Sequence, residues 1–197
     1  MCVCVVFPII ANINTSFELN SKIDFEILKN KVSCYQVKKK FFAMIYKIAS
    51  PKATLNIYES GKIVMSGLKE IEDCEIAAKK FADILSEPNK LISVCKLCIT
   101  NMVYSGFFGR NVNLIDFVNE INRAYKHGGD LSASYEPELF SGVRCSKRST
   151  KQRITIFRNG RFFITGVKNE EHAIDIFRLT KSFVEFVCNF EVINKTL

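Results

Sequence analysis

Over residues 53–58 and again over 62–66, apolar and polar side chains alternate with period two, the spacing that sends successive side chains to opposite faces of a strand. Ser60-Gly61 between the two runs predicts a hairpin turn. The pattern returns over residues 153–157 and 161–165, around Asn159-Gly160, one of the stronger short hairpin signals. One face of the first hairpin carries Leu55, Ile57, Ile63 and Met65, and the same face of the second carries Ile154, Ile156, Phe162 and Ile164. These eight belong in a core, under helices. Helical spacing of apolar residues follows each hairpin, over residues 70–85 and 170–187, and a further helix precedes each, near residues 24–33 and 114–126. Gly128-Gly129 ends the last of these.

The two hairpins are copies of one unit. Ile57 to Lys69 reads against Ile156 to Lys168 with every paired position 99 residues apart, and Phe41 lies 17 residues before Tyr58 as Phe140 lies 17 before Phe157. An internal repeat of this length predicts a duplicated architecture. We place the first copy at residues 1–90 and the second at 91–197, joined by the short polar stretch Ser86-Glu87-Pro88-Asn89-Lys90.

Charge narrows the class of ligand. The chain of 197 residues has 28 Lys and Arg against 20 Asp and Glu, a net charge of +8, which favours a polyanionic partner. Residues 27–58 contain seven lysines and no acid, and residues 139–169 contain eight Lys or Arg and no acid. A single such run is usually a solvated face; two at equivalent places in a repeat point to a shared anionic ligand. The hairpin faces opposite the expected core hold Asn56, Tyr58, Lys62, Val64 and Ser66 in the first copy, and Arg153, Thr155, Phe157, Arg161, Phe163 and Thr165 in the second. Aromatics, small hydroxyls and cations together suit a ligand with an apolar floor, hydrogen-bond acceptors and flanking anions, which describes the minor groove of A·T-rich DNA. The alternative is a sheet face that meets a protein partner.

Other chemistry is weakly represented. No run reaches the roughly 18 apolar residues of a membrane span, and residues 1–10 lack the basic start of a signal peptide, so an intracellular soluble protein is expected. The eight cysteines are irregularly spaced and read as reduced thiols. Cys95 and Cys98 have a zinc-like spacing without a second pair, and neither His127 nor His172 completes one, so no metal is expected. No phosphate loop, nucleophile elbow or triad is present, which predicts a protein that is not an enzyme and carries no cofactor.

These residues resemble the conserved core of the TATA-box-binding protein family from about Phe7 to Phe186. The most specific element is Ser134-Tyr135-Glu136-Pro137-Glu138-Leu139-Phe140, with Ile156-Phe157 and Thr165-Gly166-Val167-Lys168 after it; Ser60-Gly61-Lys62, Ser66-Gly67-Leu68-Lys69 and Thr100-Asn101-Met102-Val103 are similar to the same family. The resemblance implies an α+β fold, a pseudo-twofold saddle made of one curved antiparallel sheet of about ten strands with four helices on its convex face and DNA under its concave face. It implies wedge roles for Phe41, Tyr58, Phe140 and Phe157, and a groove floor of Ile10, Val64, Ser66, Asn101, Val103, Phe163 and Thr165. Asn101 is matched by Pro8 in the first copy and Val103 by Ile10. Lys47, Lys62, Lys69, Lys151, Arg161 and Lys168 fall on basic positions that would meet phosphates, while Arg144 and Lys147 flank Ser146, which stands where the family has an arginine. Glu136, Glu138 and Leu139 match a surface offered to transcription factor IIB.

The expected function is that of a general initiation factor in the nucleus, bending TATA or A·T-rich promoter DNA through its minor groove and recruiting transcription factors IIB and IIA and the RNA polymerase initiation machinery. A divergent scaffold of the same family, with weak or non-TATA DNA binding, is the alternative, motivated by Tyr58, Pro8 and Asn56. A DNA glycosylase built on a related repeat is a further one, set aside because no helix-hairpin-helix motif with a catalytic carboxylate is visible.

Overall fold

The computed structural model describes residues 6–33, 35–36, 42–148 and 150–194. Its elements run β1 (Val6–Leu19), α1 (Phe25–Lys31), β2 (Tyr35–Gln36), β3 (Met44–Ile48), β4 (Ala53–Ile57), β5 (Lys62–Leu68), α2 (Glu72–Leu85), β6 (Val94–Phe107), α3 (Leu114–Lys126), β7 (Leu131–Ser134), β8 (Gly142–Lys147), β9 (Arg153–Phe157), β10 (Arg161–Val167) and α4 (Glu170–Asn194). The strands form a sheet in the order β2-β3-β4-β5-β1-β6-β10-β9-β8-β7. An antiparallel sheet with four helices is what the repeat and its resemblance led one to expect.

The chain packs as two compact units. One is Asn12–Asn101; the other joins the described residues up to Ala11 to those from Met102 onward. Both long strands, β1 and β6, therefore contribute to each unit. In the first unit the face of Leu55, Ile57, Ile63 and Met65 is fully buried, together with Leu28 of α1 and Ala77, Ala78 and Phe81 of α2. In the second, Ile154, Ile156, Phe162 and Ile164 are equally buried, with Phe117 and Ile121 of α3 and Ala173, Ile176 and Phe177 of α4. Phe162 sits at the centre of an aromatic cluster, 4.6 Å from Phe108 and 5.3 Å from Phe177 between ring centroids. It occupies the space a side chain at position 106 would need, since a Cβ on Gly106 would come within 2.3 Å of its ring.

Strand and helix boundaries follow local chemistry. Asp24 caps α1, accepting from the Glu26 amide at 2.8 Å, and Asn113 caps α3, accepting from Ile115 at 3.2 Å. The helix expected near residues 24–33 is shorter, ending at Lys31, and α4 runs beyond residue 187. Strands β5 and β10 continue past residues 66 and 165 to Leu68 and Val167. They do so because Gly67 and Gly166, at φ +101° and +74°, form bulges instead of ending the strand.

The repeat reaches the hairpin turns as well. Gly61 donates to Tyr58 O and accepts from Leu19 N; Gly160 likewise donates to Phe157 O and accepts from Phe108 N. Gly160 adopts φ +80°, and a Cβ there would lie 1.9 Å from the Arg110 carbonyl oxygen. Gly128 has φ +93° but nothing within 4 Å of the same position. Gly160→Ala should therefore cost well over the roughly 1–2 kcal/mol of the left-handed conformation alone, and Gly128→Ala about that amount. Urea unfolding of the two variants checks the difference; equal midpoints would refute the packing at Gly160.

Candidate nucleic-acid interface

Opposite each buried sheet face lies one that the helices leave open. In the unit that contains Met102 and the residues after it, its rows are given by strand register. Ser105 pairs with Phe163, Phe163 with Thr155, and Thr155 with Arg144. Thr165 pairs with Arg153 and Arg153 with Ser146, while Arg161 pairs with Phe107. Val103 stands on this side, between buried Met102 and Tyr104. Phe140, Phe157 and Phe163 form a ladder of edge-on rings, 5.8 Å and 6.0 Å between successive centroids. Gly142 makes room for it, because a Cβ there would meet both the Phe140 and Phe157 rings at 2.9 and 3.0 Å. The backbone amides of Leu139 and Phe140 both donate to Glu136 O, a tight turn that sets Phe140 beside the sheet.

Cations surround these rings. The Arg144 guanidinium lies 4.5 Å over the Phe140 ring centroid, a cation–π contact, and Arg144, Arg153 and Arg161 are all exposed. No acid occurs in β7, β8, β9 or β10. Lys151 and Lys168 are exposed just outside β9 and β10. Lys147 faces the other way: its ammonium bonds Asp175 and lies 3.6 Å from Asp130, and the Asp175 hydrogen bond raises its pKa above the usual lysine value. It is an internal ion pair and not a phosphate ligand.

The Asn12–Asn101 unit presents the same rows with different chemistry. Asn14 pairs with Ser66, Ser66 with Thr54 and Thr54 with Lys47; Ser16 pairs with Val64, Val64 with Asn56 and Asn56 with Ile45. Lys62 pairs with Glu18, whose carboxylate accepts from Lys96 at 2.7 Å. That hydrogen bond raises the pKa of Lys96. Tyr58 is half-buried at the end of β4, and Lys47, Lys62 and Lys69 are exposed. Phe41, the other wedge expected here, lies outside the described residues.

The structure corrects two equivalences. Leu68 and Val167 are repeat partners, and they pair with Ile13 and Met102, so Asn12 and not Pro8 is the counterpart of Asn101. By the same register Asn14, not Ile10, corresponds to Val103; Ile10 is half-buried further back on β1. The offset is 99 at the hairpins but 89 at the first strands, as from Leu19 to Phe108, because the second copy has a longer segment between, including a 13-residue α3 where α1 has 7. Asn-Ile at 12 and Asn-Met at 101 would reveal this in the sequence once the offset is allowed to change.

Asn12 is held in a defined orientation. The Gly67 amide, freed from the ladder by its bulge, donates to Asn12 Oδ1 at 2.7 Å, and Asn12 Nδ2 donates to Asn14 Oδ1 at 3.0 Å. Since an N–H can only donate, the first bond settles which end of the Asn12 amide is oxygen, and the second does so for Asn14.

Glu136, Glu138 and Leu139, the residues expected to meet a protein partner, are exposed in the turn between β7 and β8, Leu139 at 80% exposure. Among the described residues no group of three or more His, Cys, Asp or Glu is placed to hold a metal. Burial pushes the Cys145 thiol up to about 12, whereas Cys98 is exposed. No helix among the described residues is long and apolar enough to cross a membrane.

Comparison with known proteins agrees with this geometry. The family model described as transcription factor TFIID (or TATA-binding protein, TBP) matches residues 7–88 and 96–185, two segments whose starts differ by the same 89. TATA-box-binding protein 2 of Entamoeba histolytica is 32% identical over 165 residues, covering 83% of this chain and 74% of its own length. The TATA-box-binding protein of Candida albicans is 31% identical over 173 residues, 87% of this chain and 69% of that one. Among solved structures, Methanococcus jannaschii TBP superposes with a TM-score of 0.75 at 28% identity, covering 91% of this chain and 99% of that chain.

Because Asn12 accepts the Gly67 amide in the relay from Gly67 through Asn12 to Asn14, Asn12→Ala should speed hydrogen exchange of that amide several-fold, about what the loss of a 1 kcal/mol hydrogen bond gives. Exchange measured by NMR at an unchanged rate would remove the relay.

Proposed function

Because the chain belongs to the TATA-binding protein family, we propose that it is a general transcription initiation factor that binds A·T-rich promoter DNA through the minor groove and bends it with aromatic wedges. The observation that carries this reading is the Phe140–Phe157–Phe163 ring ladder, set on an open sheet face with three exposed arginines. Separating a base step costs a few kcal/mol, in a strategy of which this family is itself a standard example. Burying a phenylalanine side chain returns about 1.5–3 kcal/mol, so Phe140 and Phe157 together offset a cost of that size. Hydroxyls at Ser105, Thr155 and Thr165 and the amide of Asn101 supply polar contacts to base edges. Arg144, Arg153, Arg161, Lys151 and Lys168, with Lys47, Lys62 and Lys69 in the other unit, supply the phosphate contacts.

Recruitment follows from the exposed turn before β8. Glu136, Glu138 and Leu139 form a small acidic and apolar surface for transcription factor IIB, with transcription factor IIA and the polymerase machinery as further partners and the nucleus as the place of action. The protein does this by binding alone, as a factor and not an enzyme.

Phe157→Ala should lower affinity for an A·T-rich duplex at least tenfold and reduce bending measured by fluorescence transfer between the duplex ends. Tyr58→Phe, which removes a hydroxyl from the intercalating edge, should bind as well or better. Unchanged bending by the Phe157 variant would sink the wedge assignment. Combined Glu136→Ala and Glu138→Ala should weaken capture of a transcription factor IIB protein on the DNA-bound chain without altering DNA affinity. Loss of DNA affinity instead would move those acids out of the partner surface.

A further inference from the structure

We infer that the two open faces read different bases: the face of the Asn12–Asn101 unit accepts G·C pairs, whereas the face of the other unit requires A·T, with Asn14 and Asn56 as the specificity-determining residues. This rests on the minor-groove reading above and concerns which sequence the groove must have. In the minor groove a G·C pair differs from an A·T pair chiefly by the guanine 2-amino group, a hydrogen-bond donor that projects from the floor. A face that meets it with apolar atoms leaves that donor without a partner; a face that meets it with an acceptor does not.

Register places the two chemistries position against position. Asn14 stands where the other unit has Val103, and Asn56 where it has Thr155. Val64 lies between Ser16 and Asn56, while in the other unit Phe163 lies between Ser105 and Thr155. The Phe163 ring is 44% exposed and rises between those two hydroxyls, so that a groove floor rests on the ring. Val64 is half-buried and leaves the flanking Ser16 and Asn56 within reach of the floor. Thr54, an acceptor, pairs with Ser66, while its counterpart Arg153, which can only donate, pairs with Thr165.

The relay adds a preset geometry. Asn14 Oδ1 takes one hydrogen bond from Asn12 Nδ2, which is itself oriented by Gly67. A carbonyl oxygen has a second lone pair, and the Asn14 Nδ2 keeps its own donors. Asn14 can thus accept from a guanine amino group and donate to a neighbouring N3 or O2 in one arrangement. Val103 can do neither.

The test uses fluorescence anisotropy with the full chain and four duplexes: an all-A·T eight-base-pair site, the same site with two G·C pairs in the left half, in the right half, and in both. Because the protein can lie either way round on a symmetric site, the outcome does not depend on knowing its orientation. At least one single-half duplex should bind within about threefold of the A·T site, and the both-half duplex at least about tenfold more weakly. Replacing guanine by inosine, which lacks the 2-amino group, should restore the both-half duplex to within about threefold. The Asn14→Val, Asn56→Thr double variant should lose about tenfold more affinity on the single-half duplexes than on the all-A·T site, where its remaining binding also reports its folding. Tenfold loss by the native chain on each single-half duplex, failure of inosine to restore binding, or a double variant that still tolerates one G·C half would each overturn the inference. Absence of any preference for the A·T site over random duplex would instead take away the minor-groove reading, and this inference with it.

Discussion

Met65 and Leu68 are both buried although they are three positions apart, as are Ile164 and Val167. In an unbroken strand an odd spacing sends two side chains to opposite faces, so one of each pair would have to face outward. The bulges at Gly67 and Gly166 absorb the extra residue and return the second side chain to the core. Everything on the open face inherits its place from that correction: Ser66 and Thr165 point away from the helices on one side of each bulge, and β1 and β6 are brought into line on the other. In the Asn12–Asn101 unit the same bulge turns the Gly67 amide out of the ladder and onto Asn12. One backbone irregularity thus sets core register and amide orientation together.

With the register set, the two units share a frame and differ in what they display on it. One shows three phenylalanine rings edge to edge with arginines around them and no acid in β7 to β10. The other shows amides and hydroxyls, two lysines on its paired strands, and Glu18 held by Lys96. Rings exchange stacking and surface burial with a kinked base step; amides and hydroxyls exchange hydrogen bonds with base edges. A duplicated fold lets one half supply deformation while the other supplies tolerance, without any change in backbone plan.

The buried faces of both hairpins, the four helices and the ring positions Phe140, Phe157 and Phe163 were legible in the sequence, because each depends on a short-range period or a fixed spacing. Lys147 was not: a lysine in a basic run looks like a phosphate ligand until α4 brings Asp175 to it, and only a contact across 28 residues shows that its charge is already spent. Asn12 and Asn14 were hidden for a different reason. The repeat is not of constant period, so an offset of 99 carried back from the hairpins lands on Pro8 and Ile10 in a stretch where the true offset is 89.

Period-two alternation, the Asn-Gly and Ser-Gly turns, and the recurrence of a whole hairpin determined by themselves that this chain would build one sheet unit twice, with aromatic and basic residues on the uncovered face. Those are local properties, decided by which way successive side chains point along a strand. Which residue of one strand faces which residue of the next was decided only by the folded sheet. Pairing depends on bulges and on the differing lengths between strands, and these set register through hydrogen bonds between segments far apart in the chain.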